Sequence, residues 1–383
     1  MTRKKLLILL GSVCLALMLI AMACAAPAPP EAAELEAKLA AEKAKVADLE
    51  DEVADLKADL AAAMKPAKVF EWSMTGWPTK GISSGIGMAE FCDMVTEMSG
   101  GRIDLMATYE GEVLMEDEQL DGVATGVCEV GYPWPGTYGG RIPEAFIETG
   151  LPLSLSNPSE VQTLFWRKGW VDILTEAYAA NNLYYAGFIV QAPVPVVSTV
   201  PINSLADLKG LKVRSVGGPP AEVLVELGAA YTYISFGEVY MGLMMGTIDA
   251  AAAGSIMEEY DIKLYESCPY YLRPDLVSNQ VGPVVVNMDA WNSLTPDLQE
   301  IIISAAKAWA RNIEMREWEA CITDWVDWET NWDGEKCYIP DSELPEVYAA
   351  AARVWETYGA ATPACGEMIE ILSDYMRDLG YIE

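Results

Sequence analysis

Arg214 is the residue of this 383-residue chain with the best setting for chemistry. It lies in the run Leu211-Lys212-Val213-Arg214-Ser215-Val216-Gly217-Gly218-Pro219-Pro220. That run reads as a strand, a turn through two glycines, and a helix opened by prolines, which suit a first helical turn. In open α/β sheets, ligands bind at the carboxyl ends of strands, and helix N-termini offer free N–H groups to anions. A guanidinium there can hold a carboxylate through two parallel hydrogen bonds. On spacing alone the alternative is an arginine paired with a neighbouring surface acid.

Other chemistry is largely excluded. The chain has no histidine, which rules out a histidine-ligated zinc site and a histidine general base. It has no G-x-S-x-G elbow, no G-x-x-x-x-G-K-[ST] phosphate loop and no strand-linked G-x-G-x-x-G. Glu116, Asp117, Glu118 and Asp121 are spaced like a solvated helix face rather than a metal site, and the Trp and Met residues read as core by default. No enzyme activity, cofactor or metal is expected. A formal charge of -32 argues against nucleic acid, because binding a polyanion needs a basic patch.

Several elements must position Arg214. From residue 67 onward, strands alternate with helices, which implies an α/β fold. Strands are expected at 69–74, 102–108, 128–132, 184–189 and 211–216, and helices at 82–99 and 117–125. Pro296 to Asn331 contains no Gly or Pro after its start and reads as one long helix able to join two lobes. The segment from Glu343 onward reads as helices packing back on the body. Before the α/β part, Leu39, Val46, Val53 and Leu60 fall on one heptad position, and Leu35, Leu49 and Leu56 on the other, interrupted at Glu42. Val at a with Leu at d favours a two-stranded parallel coiled coil, about 50 Å long. The alternative is a single solvated helix.

At the start, Arg3, Lys4 and Lys5 precede an apolar run from Leu6 to Ala23, which closes on Ala21-Met22-Ala23-Cys24. This is a signal-peptide pattern, and Cys24 after a small residue resembles a bacterial lipobox, with Ala21 where Leu is usual. The alternative is an uncleaved membrane anchor, since about eighteen apolar residues can span a bilayer. The expected division is therefore signal peptide 1–23, lipid-anchor tether 24–30 and coiled-coil stalk 31–66. Lobe I takes 67–190 and 280–320; lobe II takes 191–279 and 321–383 with the C-terminal helices. Cys92, Cys128, Cys268, Cys321, Cys337 and Cys365 remain in the exported part, and their pairing is open.

Leu205-Ala206-Asp207-Leu208-Lys209-Gly210-Leu211-Lys212-Val213-Arg214 resembles the signature of the DctP-like substrate-binding proteins of tripartite ATP-independent periplasmic (TRAP) transporters. Glu226-Leu227-Gly228, Phe236-Gly237-Glu238-Val239-Tyr240, Gly246-Thr247-Ile248-Asp249-Ala250 and Val286-Asn287-Met288-Asp289-Ala290-Trp291 resemble that family in order and spacing. So do Thr96-Glu97-Met98-Ser99-Gly100-Gly101-Arg102, Leu151-Pro152-Leu153 and Leu294-Thr295-Pro296-Asp297-Leu298-Gln299. The resemblance spans roughly residues 70–309.

It implies a two-lobed periplasmic-binding-protein-like fold with parallel or mixed sheets and a long helix across both lobes. It also implies capture of a small organic carboxylate for a TRAP membrane permease, at an extracytoplasmic, lipid-anchored location. Arg214 matches the family arginine that pairs with the substrate carboxylate. Gly246 to Ala251 and Tyr270-Tyr271-Leu272 resemble the branch that binds 2-oxo monocarboxylates, in which Gln191 would face the ligand. That branch carries a Glu-Trp pair after Ala251, its Glu holding a cation; here Ala252-Ala253 stand instead. Ligand affinity is therefore expected to ignore sodium and calcium, with Gln280 the candidate to take over if it does not. Tyr132, Trp134 and Tyr138 resemble the family's aromatic pocket wall, the alternative being an aromatic core cluster. The other functional reading is a ligand sensor that signals to a membrane partner.

Overall fold

The computed structural model describes residues 30–63 and 68–382, with side chains described over 38–57 and 68–382. The expected signal segment and Cys24 lie outside the described residues.

Residues 30–63 and 68–382 fall in separate compact units. The first is one helix, Pro30–Ala63, as expected from the absence of Gly and of Pro beyond its first residue. Its Leu49, Val53 and Leu56 are exposed.

The second unit is built on two mixed sheets. The first holds strands β1 (Phe70–Gly76), β2 (Ile103–Thr108), β3 (Val130–Tyr132), β4 (Leu183–Val194) and β10 (Val277–Asn287), in the order β2-β1-β3-β10-β4. β2, β1 and β3 run parallel; β10 is antiparallel to both β3 and β4, with Val285 opposite Gly131 and Val284 opposite Gly187. The second holds β5 (Val197–Ser198), β6 (Lys212–Arg214), β7 (Ala230–Thr232), β8 (Ala250–Ala251), β9 (Tyr270–Arg273) and β11 (Glu335–Tyr338), in the order β11-β9-β5-β8-β6-β7.

Each sheet is covered on both faces. On the first sheet, the helix Ser83–Met98 and the long helix Pro296–Asn331 lie on one side. Trp309 anchors that layer, stacked on Phe91 at 5.1 Å and edge-on to Tyr132 at 5.0 Å. The opposite side is covered by helices within 143–179 and by Pro363–Asp378. Met368, Leu372 and Met376 are buried there with Leu164, Phe165, Leu174 and Phe188. This packing departs from the expected grouping of everything after 321 with lobe II. The apolar face of the last helix finds its partners on the first sheet, although the preceding helix, Leu344–Gly359, buries Val347, Ala350 and Val354 against the second.

The chain crosses between the sheets at β4 into β5, β9 into β10 and the long helix into β11, and returns once more between the last two helices. The long helix begins at Thr295-Pro296, with proline at a position where no backbone donor is lost. Its first half packs on the first sheet through Ile302, Ala306 and Trp309. Its second half brings Trp325 against Tyr271 at 4.1 Å and lets Trp328 Nε1 donate to the Cys268 carbonyl at 3.1 Å. Among the described residues no cysteine forms a disulfide, and no helix is long and apolar enough to cross a membrane.

Candidate ligand-binding site

Loops from the carboxyl ends of β1 and β3 meet those of β6 and β8. Trp77 follows β1, Trp134 follows β3, Arg214 ends β6, and Ala253 stands just after β8. Gln191 and Gln280 come from β4 and β10, flanking the paired residues Val190 and Val281 where the chain leaves one sheet for the other. With Glu116, Val216, Phe236 and Glu258 they enclose a cavity of about 10 Å³, room for about one water molecule.

Arg214 is fully buried. Its Nε donates to the Ile234 carbonyl and one terminal nitrogen to the Ala253 carbonyl, both at 3.1 Å. These bonds fix the guanidinium plane and occupy two of its five N–H groups. No ion pair to Arg214 is present among the described residues, so the surface-pair alternative fails on burial and on partner. Burial lowers its pKa, and nearby Glu116 is the chief opposing influence. Glu116 is itself buried and accepts from the Tyr233 hydroxyl at 3.1 Å. Burial raises its carboxyl, against the favourable pull of Arg214.

Glu258 is the second carboxyl on the cavity. Its Oε1 accepts from Ser84 Oγ and Gln191 Nε2, and its Oε2 from the Ser255 backbone N–H at 3.1 Å. Burial raises its pKa, partly offset by the Ser84 and Ser255 bonds. Trp77 forms the aromatic wall, edge-on to Trp134 at 5.3 Å and to Phe236 at 5.5 Å. Three buried polar atoms on this lining lack partners in the described structure: Gln191 Oε1, Trp77 Nε1 and Trp134 Nε1.

Of the residues singled out in the sequence, Arg214, Gln191, Trp134 and Gln280 come together on the cavity. Tyr132 stands one layer behind, between Trp77 and Trp309. Tyr138 is elsewhere: its hydroxyl is 2.8 Å from that of Tyr178, which donates to buried Glu148 at 2.6 Å. For Tyr138 the core-cluster alternative is the correct one. Asp117, Glu118 and Asp121 are exposed as expected of a solvated face, but Glu116 turns inward. Trp77, Phe236 and Glu258 were not anticipated. Trp77 obeys the strand-end rule that selected Arg214, and Phe236 lies in a family motif. Glu258 closes a capping box with Ser255, so its spacing signals only a helix start.

Comparison with known proteins gives a consistent picture. The model of the family described as bacterial extracellular solute-binding protein, family 7, matches residues 77–360. A monocarboxylate 2-oxoacid-binding periplasmic protein of Nostoc sp. is 30% identical over 239 residues. That alignment spans 61% of this chain and 64% of the relative, under two thirds of its length. A TRAP periplasmic solute-binding protein of Colwellia psychrerythraea, solved with calcium and pyruvate, superposes with a TM-score of 0.74 at 24% identity, covering 82% of this chain and 95% of that one. A Bordetella pertussis extracytoplasmic solute receptor binding pyroglutamic acid gives 0.71 at 19% identity, covering 81% and 100%.

Proposed function

The chain belongs to family 7 of the bacterial extracellular solute-binding proteins, and on that premise we propose that it is the extracytoplasmic receptor of a TRAP-type transporter. In this reading it captures a small organic carboxylate by lobe closure and hands it to the membrane permease. The family is one of solute receptors, not enzymes.

The observation that carries the reading is Arg214: a buried guanidinium on a cavity between two sheets, held by carbonyls and without an ion-paired partner among the described residues. A cation kept dry is costly unless a counter-ion completes it, and a carboxylate matches its donors. Gln191, Gln280 and Trp134 share that lining and are assigned to the ligand with it. The pyruvate and pyroglutamic acid of the structural relatives set the size class. The cavity as it stands is smaller than such acids, so entry requires the loops of the two sheets to part. The lobes would be 67–190 with 280–320 and 191–279 with 321–383, the last helix bridging back to the first.

The helix Pro30–Ala63 is assigned to a coiled-coil stalk, supported by the exposure of Leu49, Val53 and Leu56 on its heptad positions. Cys24 would carry the lipid that holds the receptor at the membrane.

A thermal-shift screen of small mono- and dicarboxylates tests the function. An acid at 100 times its dissociation constant adds about 2.7 kcal/mol to stability. One or more acids should therefore raise the melting temperature by several degrees, saturating with concentration; a panel in which none does would overturn the reading.

A further inference from the structure

Acidic groups outnumber basic ones around the cavity. Its lining carries one cation, Arg214, and two buried carboxyls, Glu116 and Glu258. Behind Glu258 stand two more: Glu317, accepting from Ser255 Oγ at 2.9 Å, and Glu259, accepting from the Ala253 N–H at 3.0 Å. A ligand carboxylate would add a further acidic group against a single guanidinium, so either these carboxyls hold protons or the ligand itself brings a positive charge.

Gln191 indicates what else the cavity receives. As a carboxylate Glu258 only accepts, so in that state its Oε1 takes the amide nitrogen and fixes the orientation of the Gln191 side chain. The amide oxygen is thereby turned away from Glu258 and has no partner, although the residue is 1% exposed. An unpartnered acceptor beside a carboxylate calls for an N–H donor, and a positively charged one serves both. Trp77, Trp134 and Phe236 line the same space, and aromatic rings attract cations.

We propose that the ligand is a zwitterion, an amino acid or a similar small acid with a protonated amine, whose carboxylate pairs with Arg214 and whose ammonium is received by Glu258 and Gln191 Oε1. The inference rests on the carboxylate-binding reading and narrows its ligand class. Burial, with Asp261 nearby, raises the Glu258 carboxyl and favours its protonated form. Binding of a fixed ammonium restores the carboxylate and releases that proton.

Matched acids differing in the amine decide the matter: alanine against pyruvate, leucine against 4-methyl-2-oxopentanoate, and proline against pyroglutamate. Calorimetry on the full-length protein, in buffers of different ionisation enthalpy and with or without sodium or calcium, reads affinity, proton exchange and cation dependence together. In every pair of which a member binds, the amine-bearing acid should bind at least about tenfold tighter, a 1.4 kcal/mol difference, independently of either ion. Glu258→Gln should remove that preference. The wild-type comparison stands even if the variant folds poorly. A 2-oxo or lactam acid binding as tightly or more tightly overturns the inference: proton uptake would then make a proton the compensating charge, and cation dependence would make it a metal ion. Either result leaves the carboxylate reading intact. If no acid of either series binds, that reading falls and the inference with it.

Discussion

Glu148 shows how a buried carboxyl outside the cavity acts on stability alone. It is fully buried and accepts from the hydroxyls of Tyr178 and Tyr185, each at 2.6 Å. Burial pushes its pKa from 4.5 up to about 8, the two hydroxyl bonds recovering only part of the cost. The folded state therefore holds a proton that the unfolded chain releases near pH 4.5. Its stabilising share is complete below about pH 4.5 and is lost as pH rises through about 8. Glu116, Glu258, Glu259 and Glu317 are also raised by burial and act in the same direction. The ligand-free protein should thus melt at a higher temperature at pH 5 than at pH 8, with a shallower decline in Glu148→Gln. Identical declines in the two proteins would contradict this. Residue chemistry was only partly legible in the sequence. Arg214 announced itself through its place before a glycine turn. Glu258 hid in a capping box, and Tyr138 followed a strand end yet turned into the core.

At the scale of elements, the two loops that carry Trp134 and Arg214 touch through glycines. A Cβ on Gly217 would lie 2.5 Å from the Gly136 carbonyl oxygen, and one on Gly136 would lie 3.0 Å from that of Gly217. The contact joins a loop of the first sheet to a loop of the second, and only residues without side chains allow it. Gly217→Val should hold these loops apart, weakening acid binding at least about tenfold while leaving the ligand-free melting temperature within a few degrees of wild type. Unchanged affinity would show that this approach is not needed for binding. The long helix makes a different prediction. Trp309 is fully buried between Phe91 and Tyr132, so Trp309→Ala should cost about 3–5 kcal/mol in urea unfolding. A loss below 1 kcal/mol would mean the layer repacks without it. That helix was readable end to end, because a run without Gly or Pro and a proline at its first position are local signals. The strands were less so. Residues 184–189 mark only the first half of β4, which is almost wholly buried and so lacks alternation. β10 was not read as a strand at all, since its place between β3 and β4 depends on antiparallel pairing with distant residues.

For the whole molecule, a chain of net charge -32 has its proposed binding site centred on Arg214, the one fully buried arginine among the described residues. Such a surplus favours solubility and repels nonspecific anions, so affinity for an acid must come from the enclosed site. The N-terminal helix adds a separate expectation. A protein starting at residue 25 should self-associate through residues 31–66, whereas one starting at Lys68 should not; sedimentation that finds both monomeric would remove the coiled coil. The central claim, carboxylate capture at Arg214, is tested most directly by calorimetry with the best acid from the thermal-shift screen. Removing one partner of a buried, hydrogen-bonded charge pair costs about 3–5 kcal/mol, more than about a hundredfold in affinity. Arg214→Ala, shown to be folded by circular dichroism, should bind the acid at least a hundredfold more weakly (about 3 kcal/mol). Arg214→Lys should fall close to it, because an ammonium cannot reproduce the planar fork. Wild-type affinity in folded Arg214→Ala would contradict the account.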